Sequence, residues 1–168
     1  MHALIRLARL AGTLPMAVAS VALFALMALT FCDVILRSAF NAPIEAATEL
    51  TRIAIAVVVF STLPILSARG GHITVDLADG LFDRLQIARW RDGLVHLACG
   101  AMLYWPAERV MDLAERARGY GDQTEYLAIP TFYIEWFIAI MTGITALILV
   151  LKGLFTLLAP HALEAADD

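Results

Sequence analysis

Two short stretches of this chain carry ionisable residues whose types and spacing could support catalysis or binding. Residues 69–76 read Arg-Gly-Gly-His-Ile-Thr-Val-Asp, and Glu45 and Glu49 stand four residues apart in a separate segment. Two acids at this spacing share one face of a helix. There they can bind a cation, stay solvated at the headgroup boundary, or pair with Arg37 or Arg52. The spacing leaves all three alternatives open.

Four short signatures of catalysis or nucleotide binding are absent from the sequence. It has no H-E-x-x-H zinc helix, no P-loop, no dinucleotide glycine fingerprint and no G-x-S-x-G nucleophile turn. Of the four histidines, His96 alone falls inside an apolar stretch, where an ionisable group is a functional candidate. A bis-histidine haem would need a second histidine at membrane depth, so we expect His96 to hydrogen-bond a neighbouring helix.

The composition places the chain in a membrane. It is 61% hydrophobic and 17% charged, with a mean hydropathy of +0.77, whereas soluble domains contain about 45–50% apolar and about 25% charged residues. The net charge is −4, and no basic cluster is present that could neutralise phosphates. The composition therefore argues against nucleic-acid binding.

The apolar stretches predict an all-α integral membrane protein that forms a single domain over residues 1–168. A helix needs about 20 mainly apolar residues to cross a bilayer. Aromatic residues gather near several of the segment ends, where amphipathic rings prefer to lie. We predict four transmembrane helices at about 11–34, 49–68, 91–109 and 132–152.

The segments between the predicted spans have a helical pattern of their own. A short amphipathic helix is predicted at about 76–86, suited to the membrane interface or to a partner protein. The third helix is expected to continue past the membrane as a charged segment and to end at residues 119–122. A protruding charged helix is either a solvated face or a platform for a soluble protein; Arg109, Arg116 and Arg118 are the candidate docking residues.

Orientation follows from the distribution of basic residues. If the N-terminus lies in the cytoplasm, seven Lys and Arg residues fall on the cytoplasmic side and five on the other. The excess agrees with the positive-inside rule. We therefore predict that both termini lie in the cytoplasm.

Several of these residues together resemble a known family. They are Glu49-Leu50-x-Arg52, the Arg69-x-Gly71-His72-Ile73-x-Val75-Asp76 stretch, Ile129-Pro130 before an aromatic-rich helix start, Gly143 within that helix, and Arg37 before the asparagine-proline turn. In these motifs, and in its length and four-helix layout, the chain resembles the DctQ-like small membrane subunit of tripartite ATP-independent periplasmic (TRAP) transporters. Glu135 departs from the pattern, because a neutral residue is expected there.

The resemblance implies a subunit that works through partners. These are a large, DctM-like transport subunit, which carries the substrate and sodium sites, and a DctP-like periplasmic protein that delivers an organic acid. The small subunit would brace the large one in the bacterial inner membrane, would contribute to the docking surface, and would hold no cofactor of its own. The residues that this interpretation treats as structural or interfacial are Arg37, Glu49, Arg52, Gly71, His72, Asp76 and Pro130.

Two other functions stay open at this point. The chain could be a haem- or quinone-binding membrane anchor of a redox enzyme, in which case the purified protein should show a visible absorption band that depends on His96. It could also be a small autonomous transporter or channel, which should give solute flux in liposomes by itself. The scarcity of polar groups within the predicted spans favours a scaffold over a translocation path.

Overall fold

The computed structural model describes residues 2–70 and 88–158 of the chain, and the side chains within 13–70 and 90–158. These residues form four α-helices: α1 (His2–Phe40), α2 (Ala47–Arg69), α3 (Ala88–Tyr120) and α4 (Phe132–Leu158). Each helix contains one of the predicted spans. The prediction of an all-α membrane protein is confirmed, while the predicted amphipathic helix at 76–86 lies outside the described residues.

The helix α1 continues beyond the end predicted for the first span. Asp33 does not end the helix, because its carboxylate accepts a hydrogen bond from Arg37 one turn later, with 2.8 Å between the oxygen and Nη2. The helix ends at Phe40, where Asn41 has a φ of 50° and the Ala42 N–H donates to the Leu36 carbonyl at 3.2 Å. Pro43 follows directly, so the break before α2 lies where the sequence predicted it.

The four helices pack as an open row and not as a closed bundle. Among the described residues, α1 contacts α2, α2 contacts α4, and α4 contacts α3, while α1 contacts neither α3 nor α4. Only 6% of the most apolar 18-residue window of α1 is buried, against 28% for α4. The helix α4 is therefore central, and α1 lies at one edge of the row.

Small residues at heptad spacing form the contact between α3 and α4. Gly93, Gly100, Ala107 and Ala114 recur every seventh residue on α3, and Ala139, Ala146 and Gly153 do the same on α4. A Cβ built on Gly153 would lie 2.9 Å from the Gly93 carbonyl oxygen, and one built on Gly100 would lie 2.9 Å from the Ala146 carbonyl oxygen. The backbones approach closely, as small residues allow in membrane helix pairs. We call this contact the small-residue seam.

The side chain of Lys152 fastens α4 to the end of α2. Its ammonium donates a hydrogen bond to the Ala68 carbonyl at 3.2 Å, and a cation is favourable at the C-terminus of a helix. Gly70 ends α2 with a φ of 65°, and its N–H points to the Leu66 and Ser67 carbonyls. The positive φ is the reason that glycine is favoured here, and a Cβ at Gly70 would also lie 2.9 Å from the Lys152 Nζ and displace this ammonium.

Three of the four helices are long and apolar enough to cross a membrane: α1 from Thr13 to Phe40, α2 and α4. The helix α3 contains the predicted span 91–109 but does not meet that condition, because charged residues fill its second half from Glu108 onward. Hydroxyl groups within the apolar helices bond to their own backbone. Thr30, Thr142 and Thr145 each donate to the carbonyl four residues earlier, which satisfies the polar group where water is absent.

The small-residue seam predicts that two alanine substitutions in α4 change the free energy of unfolding by different amounts. Gly153→Ala places a methyl group against the backbone of α3, whereas a Cβ at Gly143 meets no atom within 4 Å. Both variants gain the same helix propensity, so their difference reports the clash. We expect Gly153→Ala to be less stable than Gly143→Ala by about 1–3 kcal/mol. The free energies of unfolding of both variants in detergent micelles measure this, and equal values would contradict the close contact.

Candidate functional site

The polar contacts that connect different helices gather where α1 and α3 end and where α2 and α4 begin. We call this the Glu49 end of the molecule. The connection between α3 and α4, residues 121–131, lies there and carries most of these contacts. The opposite end, where α2 ends beside Lys152, is the Lys152 end.

Glu49 clamps the α3–α4 connection from the first turn of α2. Its Oε1 accepts the Tyr126 N–H at 2.8 Å and its Oε2 accepts the Leu127 N–H at 3.1 Å. A carboxylate that receives backbone N–H donors on both oxygens forms strong, charge-assisted hydrogen bonds. Neither a bound cation nor a pairing with Arg37 or Arg52 is needed to explain this acid. Glu45, one turn earlier, is exposed.

The clamped connection has a defined backbone of its own. Gln123 and Pro130 form an isolated antiparallel bridge, and the Thr124 N–H donates to the Ile129 carbonyl at 3.0 Å. Ala128 adopts a φ of 50° inside this turn. Thr131 directly precedes α4, and its carbonyl accepts the Ile134 and Glu135 N–H groups of the first helical turn. The predicted site residue Pro130 thus belongs to a folded turn whose Tyr126 and Leu127 N–H groups donate to Glu49.

Arg52 lies beside this clamp and lines a cavity of about 650 Å³ between α2, α4 and the connection. Its side chain is exposed and makes no ion pair within the part of the chain that the structure describes. Ile53 and Ala56 of α2 and Ile138 of α4 form deeper parts of the cavity wall. Glu49 and Arg52 therefore line one cavity. The Glu49 carboxylate is hydrogen-bonded to the α3–α4 connection, and the Arg52 guanidinium could pair with another group.

Asp33 and Arg37 hold the connection between α1 and α2. Asp33 is 8% exposed, and besides its ion pair with Arg37 its Oδ1 accepts the Ile44 N–H at 2.9 Å. Arg37, a predicted site residue, thus acts on the backbone ahead of α2 through Asp33.

The three candidate docking residues differ in what they contact. The guanidinium of Arg118 lies 5.5 Å from the centre of the Trp136 ring and 3.9 Å from a Glu115 carboxylate oxygen. A cation over an indole face is attracted to it, so Arg118 contributes to the packing of α3 on α4. Arg109 and Arg116 are exposed and make no ion pair among the described side chains. These two are the candidates that remain available to a partner.

Three of the predicted interface residues, Gly71, His72 and Asp76, lie outside the described residues. His96 was expected to hydrogen-bond a neighbouring helix. Its Nδ1 instead lies 2.6 Å from the Asp92 carbonyl oxygen of its own helix. Within the described ranges 2–70 and 88–158, no group of three His, Cys, Asp or Glu side chains could hold a metal ion.

Three anchoring contacts, those of Asp33, Glu49 and Lys152, were not predicted from the sequence. Asp33 carried a usable signal, since an acid four residues before Arg37 in a helical run is the spacing of an ion pair. The partners of Glu49 carried none, because they are backbone N–H groups 77 and 78 residues away. The partner of Lys152 carried none either, because it is a backbone carbonyl at the end of α2, 84 residues away.

The clamp predicts a local change in backbone protection. Glu49→Gln removes one acceptor oxygen from the α3–α4 connection, so we expect the Tyr126 and Leu127 amides to exchange hydrogen several-fold faster, because opening of the turn becomes easier. Hydrogen–deuterium exchange of the purified chain measures this. Glu45→Gln, which changes an exposed acid on the same helix start, is the matched control and should leave both amides protected. Equal exchange in the two variants would show that the clamp does not hold the turn.

Comparison with known proteins identifies the family of this chain. The family model of the DctQ component of tripartite ATP-independent periplasmic transporters matches residues 26–158, from within α1 to the last residue of α4. No curated protein and no solved structure matches the chain. The family is a transporter component and not an enzyme family. The chain belongs to the DctQ family and is the small membrane subunit of a TRAP transporter.

Proposed function

We propose that this small subunit braces a large, DctM-like transport subunit and contributes to the surface on which a DctP-like periplasmic binding protein docks. The transporter would take up organic acids with sodium-gradient energy across the bacterial inner membrane. The family match over residues 26–158 carries this proposal. A haem- or quinone-binding redox anchor is not favoured by that family.

The packing of the helices supports a bracing role. The row of helices leaves large apolar side chains on its outside, among them Phe24 at 67%, Met102 at 76% and Leu147 at 59% exposure. At the same time α2 is fastened to its neighbours at both ends, by Glu49 and by Lys152. Such a chain offers a firm surface of wide extent to lipid and to other helices. The sodium and substrate sites are assigned to the large subunit.

The topology that we propose places the Glu49 end in the periplasm and both termini in the cytoplasm. The helix α3 would then be the fourth transmembrane helix, since its close antiparallel contact with α4 through Gly93 and Gly100 carries it alongside an apolar span. The last turns of α3, which carry Arg116, and the clamped connection would face the binding protein. Residues 76–86 are proposed to form an interfacial helix on the cytoplasmic side.

Reconstitution tests the proposed function directly. Proteoliposomes that contain this chain, the large subunit and the binding protein should take up an organic acid only when a sodium gradient is present. Liposomes with this chain alone should show no flux, and omission of this chain should lower uptake by the remaining pair. Flux from this chain alone, or a haem absorption band in the pure protein, would contradict the proposal.

A single charge reversal tests the docking role. Arg116→Glu should raise the concentration of binding protein needed for half-maximal uptake several-fold, because exposed charges at the edge of an interface mainly change association. The yield of the membrane complex should not change. Arg116→Lys, which keeps the charge, is the control. We choose Arg116 over Arg118 because Arg118 contacts Trp136 within the chain. Full uptake by Arg116→Glu at limiting binding protein would show that this residue does not take part in docking.

A further inference from the structure

A groove runs between α3 and α4 and has small residues along its floor. It encloses about 600 Å³ and is lined by these two helices alone. Gly100, Ala107, Ala139, Gly143 and Ala146 contribute to its lining. A Cβ at Gly143 would meet no atom within 4 Å, so this glycine lies beside empty space and not at a contact within the chain. We call this feature the α3–α4 groove.

The side walls of the α3–α4 groove are apolar and uncovered. Ile140 and Leu147 of α4 line it and are 50% and 59% exposed. Tyr104 and Met111 of α3 line it from the other side. Lipid chains can cover such walls, so the walls alone do not identify an occupant.

Two exposed acids mark one end of the groove. Glu108 and Asp112 both line it. Gly100 lies against Ala146 and Val150, and because α3 and α4 are antiparallel, Glu108 lies level with about residue 140. Ile140 is eight residues into α4, or about 12 Å from the helix start at a rise of 1.5 Å per residue. Glu108 therefore lies beside the apolar part of a candidate membrane span, and Asp112, one turn later on α3, lies nearer the start of α4.

Neither acid is neutralised within the described part of the chain. The ion pairs found there join Arg37 to Asp33, Arg91 to Asp92, and Arg118 to Glu115. Glu108 and Asp112 take no part in them, although basic residues are close in sequence. Ionisable side chains at membrane depth pair with one another or with polar groups of the protein. Two exposed acids at the end of an apolar groove suit an occupant that carries a basic group.

We propose that the α3–α4 groove is the seat of a transmembrane helix of the large transport subunit, with a Lys or Arg near the periplasmic end of that helix beside Glu108 and Asp112. Gly143, beside which a Cβ would meet no atom within 4 Å, would let the backbone of a third helix approach closely. An acyl chain would cover the apolar walls and leave both carboxylates unpaired. The inference rests on the proposed function, because it assumes that the large subunit is the partner.

Four variants test the groove by co-purification of the large subunit with this chain. Gly143→Leu fills the groove and Glu108→Lys reverses one of its charges. Gly119→Leu and Glu45→Lys are the matched controls, since a Cβ at Gly119 also meets nothing within 4 Å and Glu45 is an exposed acid outside the groove. We expect the first two variants to recover roughly tenfold less large subunit, equivalent to about 1.4 kcal/mol, and the controls to match the wild type.

The outcomes separate this inference from the proposed function. Thermal unfolding of each isolated variant shows first that it folds, and Gly143→Ala is the smaller replacement if Gly143→Leu does not. Recovery of the large subunit by all four variants would overturn the groove assignment and leave the bracing role intact. If groove variants keep the large subunit but lose a bound phospholipid in native mass spectrometry, the groove is a lipid site and the inference is wrong. If the wild type recovers no large subunit, the proposed function itself fails.

Discussion

The close backbone contact between α3 and α4 is the interaction on which the rest of the structure depends. In lipid, two apolar helices gain little from hiding apolar surface, so association relies on packing and on polar contacts. The heptad of small residues, with Gly93 and Gly153 almost touching, supplies that packing. It holds a helix with a charged second half against a strongly apolar one. Both the clamped connection and the α3–α4 groove are consequences of this pairing, because residues from both helices build them.

Much of the fold follows from the sequence because its main signal is hydropathy. Uninterrupted apolar runs predict helices, and the structure places one helix on each predicted span. The helix α1 runs to Phe40, beyond the span predicted at about 11–34, and Asp33 continues the helical turn while it pairs with Arg37. The third predicted span likewise covers only part of its helix. The apolar stretch from Gly93 to Ala107 belongs to a longer helix whose second half is charged.

The contacts of the candidate site residues could not be predicted from the sequence. Glu49 and Arg52 were singled out from a motif, yet the partners of Glu49 are backbone amides in a turn that only the packed helices bring near. The same holds for the Lys152 ammonium on the Ala68 carbonyl, which joins residues 84 apart. Pairings between a side chain and distant backbone leave no trace in local sequence patterns, because every residue offers the same backbone groups. The groove escaped prediction for a similar reason, since the sequence singles out Gly143 in a motif but does not show which helix lies beside it.

The fastening of α2 at both ends has a mechanical consequence. Hydrogen bonds at both ends, from Glu49 to the α3–α4 connection and from Lys152 to the end of α2, oppose rotation of α2 about its axis and sliding of α2 along α4. Among the described residues, α1 contacts α2 and neither α3 nor α4. Any shift of α1 relative to α3 and α4 must therefore pass through α2, the helix that is held at both of its ends.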